Sequence, residues 1–111
     1  MHDFNNKTFR LLKNSELGEV DSETEFHYAQ TGDVVSADYS GGTVKKGKIL
    51  AIHKGDHLDM VYHCVTTEDM LKAGKAIAQI SVQPNGKLML SLNWEWVNGD
   101  QGKGTSTYLE V

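Results

Sequence analysis

Cysteine, proline and long apolar runs are nearly missing from this 111-residue chain, and each shortage removes a class of protein. With a single cysteine, Cys64, no intrachain disulfide can form, which excludes the disulfide-stapled secreted miniproteins. The longest unbroken apolar run, Ile49-Leu50-Ala51-Ile52, falls far short of the roughly 18 residues a membrane-spanning helix needs. The first residues, Met-His-Asp-Phe-Asn-Asn-Lys, have neither the basic start nor the apolar core of a secretory signal, so a reducing cytoplasm and no membrane partner are expected. In that setting the acceptor triplet Asn6-Lys7-Thr8 is a chance match. Positive charge is also in short supply. Fifteen acidic residues outweigh eleven basic ones, for a net charge of −4, and their even spread leaves no basic face for a phosphate backbone. Lys45, Lys46 and Lys48 form the one basic cluster, beside Gly41-Gly42, and read as a solvated strand edge that discourages pairing. Nucleic acid is therefore not an expected partner. The length provides for one hydrophobic core, so residues 1–111 are expected to form a single domain.

What the chain does have is alternation. Segments of period two, broken by turn residues at short intervals, predict strands over residues 7–13, 24–31, 34–40, 44–53, 57–66, 74–83, 87–97 and 104–111. Thr31-Gly32-Asp33, Ser40-Gly41-Gly42, Lys54-Gly55-Asp56 and Pro84-Asn85-Gly86 each supply a glycine able to take positive φ in a tight antiparallel hairpin. Thr66 to Leu71 has room for one helical turn, and residues 14–23 form the longest polar connection. Eight antiparallel strands joined by hairpins leave two raw edges unless the sheet closes. The predicted fold is therefore all-β: a single antiparallel up-and-down β-barrel of about eight strands. In the seventh strand Leu88, Leu90, Leu92, Trp94 and Trp96 share the inward side, and by the same alternation Phe26, Tyr28, Gln30, Val35, Ala37 and Tyr39 face the lumen. The fourth and fifth strands are apolar on both sides. Leu50, Ile52, Val61 and Val65 predict that something covers the outer face, most simply a second copy in a homodimer.

The ordered motifs Gly18-Glu19-Val20, Thr24-Glu25-Phe26-His27-Tyr28-Ala29-Gln30-Thr31-Gly32, Tyr39-Ser40-Gly41-Gly42, Lys46-Gly47, Leu58-Asp59-Met60-Val61-Tyr62-His63, Pro84-Asn85-Gly86-Lys87 and Trp94-Glu95-Trp96-Val97-Asn98-Gly99-Asp100 resemble a family of small bacterial proteins. The resemblance covers nearly the whole chain. It implies an avidin-like, calycin-type barrel related in architecture to the lipocalins. Some members carry the name N-acetylglutamate synthase, yet a chain this short, without βαβ alternation, lacks room for an acetyltransferase fold. The resemblance carries over no established activity. The biotin-contacting Asn and Ser pattern of avidin itself is missing from the first strand, which reads Lys7-Thr8-Phe9-Arg10-Leu11.

Residues with chemical potential are few. His53 and His57 flank a hairpin and with Asp56 or Asp59 could hold zinc, but four ligands are the rule for structural sites, so two solvated turn histidines and no metal are expected. His2 is expected to fray with the terminus. Gly99 to Thr105 imitates a phosphate loop but has Val97 where the first glycine belongs, and Gly104 separates Lys103 from Thr105; it reads as the last hairpin loop. Glu95, His27 and His63 are predicted to point outward, away from one another, and Cys64 reads as a small buried hydrophobe, so no catalytic residues and no cofactor are assigned. The expectation is non-enzymatic binding of a small, partly apolar molecule in a lumen lined by Tyr28, Gln30, Tyr39, Tyr62, Trp94 and Trp96. A small barrel enzyme of isomerase or cyclase type and a ligand-free oligomeric scaffold are the alternatives.

Overall fold

Lys54-Gly55-Asp56-His57 shows how the chain turns: Lys54 and His57 pair across the strands, and Gly55 makes the reversal at φ 66°, a conformation side chains with a Cβ resist. Repeated along the chain, such reversals produce eight antiparallel strands among the described residues. These are β1 (Lys7–Asn14), β2 (Glu25–Thr31), β3 (Val34–Gly41), β4 (Val44–Lys54), β5 (His57–Thr66), β6 (Leu71–Val82), β7 (Leu88–Trp96) and β8 (Lys103–Glu110). The structure, a computed structural model, describes residues 2–14, 23–98 and 102–111. The long polar connection expected at 14–23 and the middle of the last hairpin loop thus fall largely outside the described residues.

Each strand pairs with the next, and β1 returns to β8 to close the barrel. At that seam Phe9 pairs with Glu110 and Leu11 with Tyr108, with a register shift between Leu11 and Lys13. Closure removes both sheet edges at once. The seam is also pinned by side chains: Lys7 Nζ lies 3.1 Å from Glu110 Oε2, while the Leu88 amide donates to Glu110 Oε1 at 2.9 Å.

Past a register shift between Val44 and Lys46, strict alternation puts Gly47, Ile49, Ala51 and His53 of β4 inside, with Val44 before the shift, and Lys48, Leu50, Ile52 and Lys54 outside. Two close approaches need glycine. A Cβ on Gly47 would overlap the ring of Tyr39, its direct partner on β3, and one on Gly74 would overlap Tyr62, its partner on β5. Each large ring lies across the bare backbone opposite it, so the lumen can hold aromatics without the strands spreading.

The structure corrects the predicted elements in one place. Residues 67–70 make no helical turn; the Thr66 amide donates to Met70 O and the Asp69 amide to Thr66 O, and Asp69 takes φ 62°. This tight reversal lets Leu71 pair with Val65, so β6 begins three residues ahead of its alternation signal. No helix among the described residues is long and apolar enough to cross a membrane.

Candidate functional site

The middle of the lumen is hydrocarbon. Leu58, Met60, Ala78 and Leu90 are buried completely or nearly so, and aromatic rings run through them: Phe9 meets Tyr28 with centroids 5.1 Å apart, and Phe26 stacks on Tyr39 at 4.8 Å and meets Tyr108 at 4.9 Å.

The two ends differ. At the end bearing the β2–β3, β4–β5 and β6–β7 hairpins, residues 2–6 fold back as a plug. Phe4 is fully buried against Phe9, Tyr28 and His53. Its amide donates to Gln30 Oε1 at 2.9 Å, the Asn6 amide donates to Tyr28 O at 3.0 Å, and Asn5 Oδ1 accepts from the Gln30 amide. Two histidine expectations are overturned here. His53 is 7% exposed and aims inward, because it continues the Ile49-Ala51 face of β4. It pairs with Leu58, while His57 stands opposite Lys54, so the two histidines do not face each other. His2 does not fray; its ring meets that of His53 edge-on at 5.7 Å. His2 Nδ1 and His53 Nε2 are buried without hydrogen-bond partners. Among the described residues no three His, Cys, Asp or Glu side chains gather around a metal position.

At the other end the aromatics come together. Trp94 and Trp96 lie 5.9 Å apart, and Tyr62 meets Trp96 edge-on at 5.5 Å. Tyr62 and Trp96 are only half-buried, and the Lys72 ammonium stands 5.3 Å over the Trp96 ring, a cation–π distance. The six residues proposed from sequence therefore do not line one pocket. Tyr28 and Gln30 belong to the plugged end, Tyr39 and Trp94 are buried in the core, and Tyr62 and Trp96 form the open aromatic rim with Trp94 behind them.

Several lumen polar groups already have protein partners. Trp94 Nε1 donates to Ser106 Oγ at 2.8 Å, Tyr39 OH to His63 O at 3.3 Å, and Gln30 Nε2 to Gly32 O at 3.0 Å. The most weakly held lies at the rim, where Tyr62 OH reaches Glu95 O at 3.4 Å.

The family described as avidin-like protein matches residues 2–111, nearly the whole chain that closes into this eight-stranded barrel. The chain belongs to the avidin-like protein family. No curated protein and no solved structure matches this avidin-like barrel.

In the avidin-like lumen, burial raises the Tyr28, Tyr39 and Tyr62 phenols above their ordinary value and pushes Tyr108 up to about 12. All four remain neutral hydrogen-bonding groups at physiological pH and cannot serve as ready bases. The acid–base candidates named from the sequence stand on the outer wall: Glu95 beside Lys75, His27 beside Thr8 and Glu25, and His63 exposed. Sequence reasoning missed four contributors. Phe4, a lone aromatic among polar residues, gave only its hydrophobicity as a signal; Ser106 and Tyr108 alternate with Thr105 and Thr107 and could have been placed inside; Lys72 carried no signal.

Proposed function

We propose that this avidin-like barrel binds a small, partly apolar molecule with a planar portion, received at the aromatic end of the lumen. The half-buried Tyr62–Trp96 pair carries this reading: two large rings keep accessible surface beside the buried Trp94, where the rest of the lumen is packed. Lys72 over Trp96 adds a cation–π contact to this aromatic rim. Binding without chemistry suits the positions of Glu95, His27 and His63 on the outer wall. The cytoplasm is the proposed compartment, in keeping with the buried thiol of Cys64.

The experiment is a titration with anilinonaphthalene sulfonate, which joins a planar apolar body to a sulfonate, followed by native mass spectrometry of protein purified without denaturation. Binding should change the tryptophan emission, and Trp96→Phe should weaken it roughly tenfold, equivalent to about 1.4 kcal/mol. A ligand-free scaffold is the second reading, favoured by the Trp94–Ser106 hydrogen bond, which leaves that indole satisfied without a guest. Unaltered emission with this probe and with a panel of small aromatic anions, and no co-purified mass, would decide for the scaffold.

A further inference from the structure

Two imidazoles meet where the segment before β1 closes the plugged end of the barrel. His53 stands on the inward row of β4, and the ring of His2 meets it edge-on, with centroids 5.7 Å apart and planes at 74°. One nitrogen of each ring, His2 Nδ1 and His53 Nε2, is shut off from solvent and has no hydrogen-bond partner in the protein. A buried nitrogen in this state has given up its hydration without a replacement, so its presence calls for a reason. Packing alone does not supply one. Position 53 pairs with the fully buried Leu58 and lies against Phe4, with ring centroids 6.2 Å apart, a setting in which hydrocarbon would fill the space at no polar cost.

The spacing suits a shared ion. An imidazole nitrogen lies about 2.0 Å from a metal it binds, which puts the centroids of two rings on opposite sides of one ion roughly 6 Å apart. The 5.7 Å between His2 and His53 is close to that separation. Which ion fits follows from what surrounds the pair. Among the described residues no third His, Cys, Asp or Glu completes a set, so zinc, which takes three or four protein ligands, is poorly served. The other titratable side chains nearby are turned to other tasks. His57 Nδ1 lies 3.2 Å from Asp56 Oδ1, and Asp33, whose side chain is exposed, meets His53 through its backbone oxygen, which accepts from the His53 amide at 2.8 Å. Two neutral nitrogens with no carboxylate beside them offer nothing to balance a second positive charge. A monovalent ion content with two ligands matches both counts, and copper(I) is the biological metal that takes imidazole in this way.

We propose that His2 Nδ1 and His53 Nε2 together bind copper(I) as a two-coordinate ion, which fastens the plug of residues 2–6 to β4. This is independent of what the aromatic end of the lumen receives. The test is an anaerobic titration of the untagged chain with copper(I), kept soluble in dilute acetonitrile, with zinc(II) in a parallel arm. A single copper should bind, X-ray absorption should show two nitrogen ligands and no sulfur, and the melting temperature should rise, since the ion binds only where the fold brings the two rings together. His2→Ala and His53→Gln should each weaken binding at least roughly tenfold, while His57→Gln should leave it unchanged. Zinc should bind at least roughly a hundredfold more weakly than copper(I). Circular dichroism would establish that each variant is folded, and His2→Ala, a change outside the strands, carries the test if His53→Gln is not. Absence of copper binding, which leaves the two nitrogens to ordered water, overturns the proposal. So do sulfur in the first shell, from Cys64 or a methionine, zinc binding as tight as copper, and copper binding that survives both histidine substitutions.

Discussion

Position 53 holds a histidine where the pattern of β4 would accept hydrocarbon, between the Ala51 side of the lumen and the Phe4 plug. Burial holds its pKa below the ordinary 6.5, with His2, the terminal amine and His57 acting in the same direction against a pull from Asp33. The unfolded chain therefore takes up a proton near 6.5 that the folded chain refuses. The contribution of neutral His53 is complete above about pH 6.5 and is lost as the pH falls through the folded value. Asp38, held low by its hydrogen bond from Lys48, and Asp56, held low by that from His57, respond only in the more acidic carboxylate range. Melting temperature should accordingly decline from pH 7 to about 5, and His53→Leu should flatten that decline; an unchanged slope in the variant would assign it to another group. None of this was legible in Lys54-Gly55-Asp56, which marks a turn and says nothing about which flanking imidazole continues an inward row.

Among the elements, the segment before β1 contributes more than its length implies. Phe4 is one of the largest fully buried side chains, and four backbone hydrogen bonds or caps tie residues 4–7 to β2 and to one another. Phe4→Ala should cost about 3–5 kcal/mol in urea denaturation, the range for deleting a buried aromatic. A cost under about 1 kcal/mol would make the plug a loose cover instead of part of the core. The strands themselves could be read from sequence because period two and turn glycines are local signals, as in β3, where Val35, Ala37 and Tyr39 alternate with Ser36, Asp38 and Ser40. The start of β6 could not, since Leu71 is in strand only because Val65 pairs with it.

At the scale of the whole barrel, all four tyrosines of the chain contribute phenols to the inward face, three of them buried and Tyr62 half-buried at the rim, and burial raises the pKa of each. Phenols of the unfolded chain ionise near 10. The stability that depends on neutral tyrosine is thus full below about pH 10 and is lost as the pH rises toward the folded values, about 12 for Tyr108. The native protein should show no tyrosinate absorbance at about pH 10.5, and ionisation should then appear together with loss of the circular dichroism signal. Gradual titration with the fold intact would mean that the lumen admits hydroxide freely.

Alternation and turn glycines, both properties of a few consecutive residues, determined the number of strands, their antiparallel order and the inward side of β7, down to Trp94 and Trp96. Closure was only inferred, from the cost of unpaired edges; the contact that achieves it joins residues as remote as Lys7 and Glu110. The grouping of the candidate residues was decided in three dimensions as well. Alternation says which side a residue faces but not how far along the barrel it sits, and that height follows from strand stagger and from where each hairpin turns. Hence Gln30 and Trp96, both on inward faces, stand at opposite ends, one bonded to the Phe4 plug and the other beneath Lys72. The apolar outer wall was half legible for the same reason: Leu50, Ile52 and Val61 could be seen as outward, but only the register of four strands sets Val34 beside Ile52 and brings Ile77 next to Asp59.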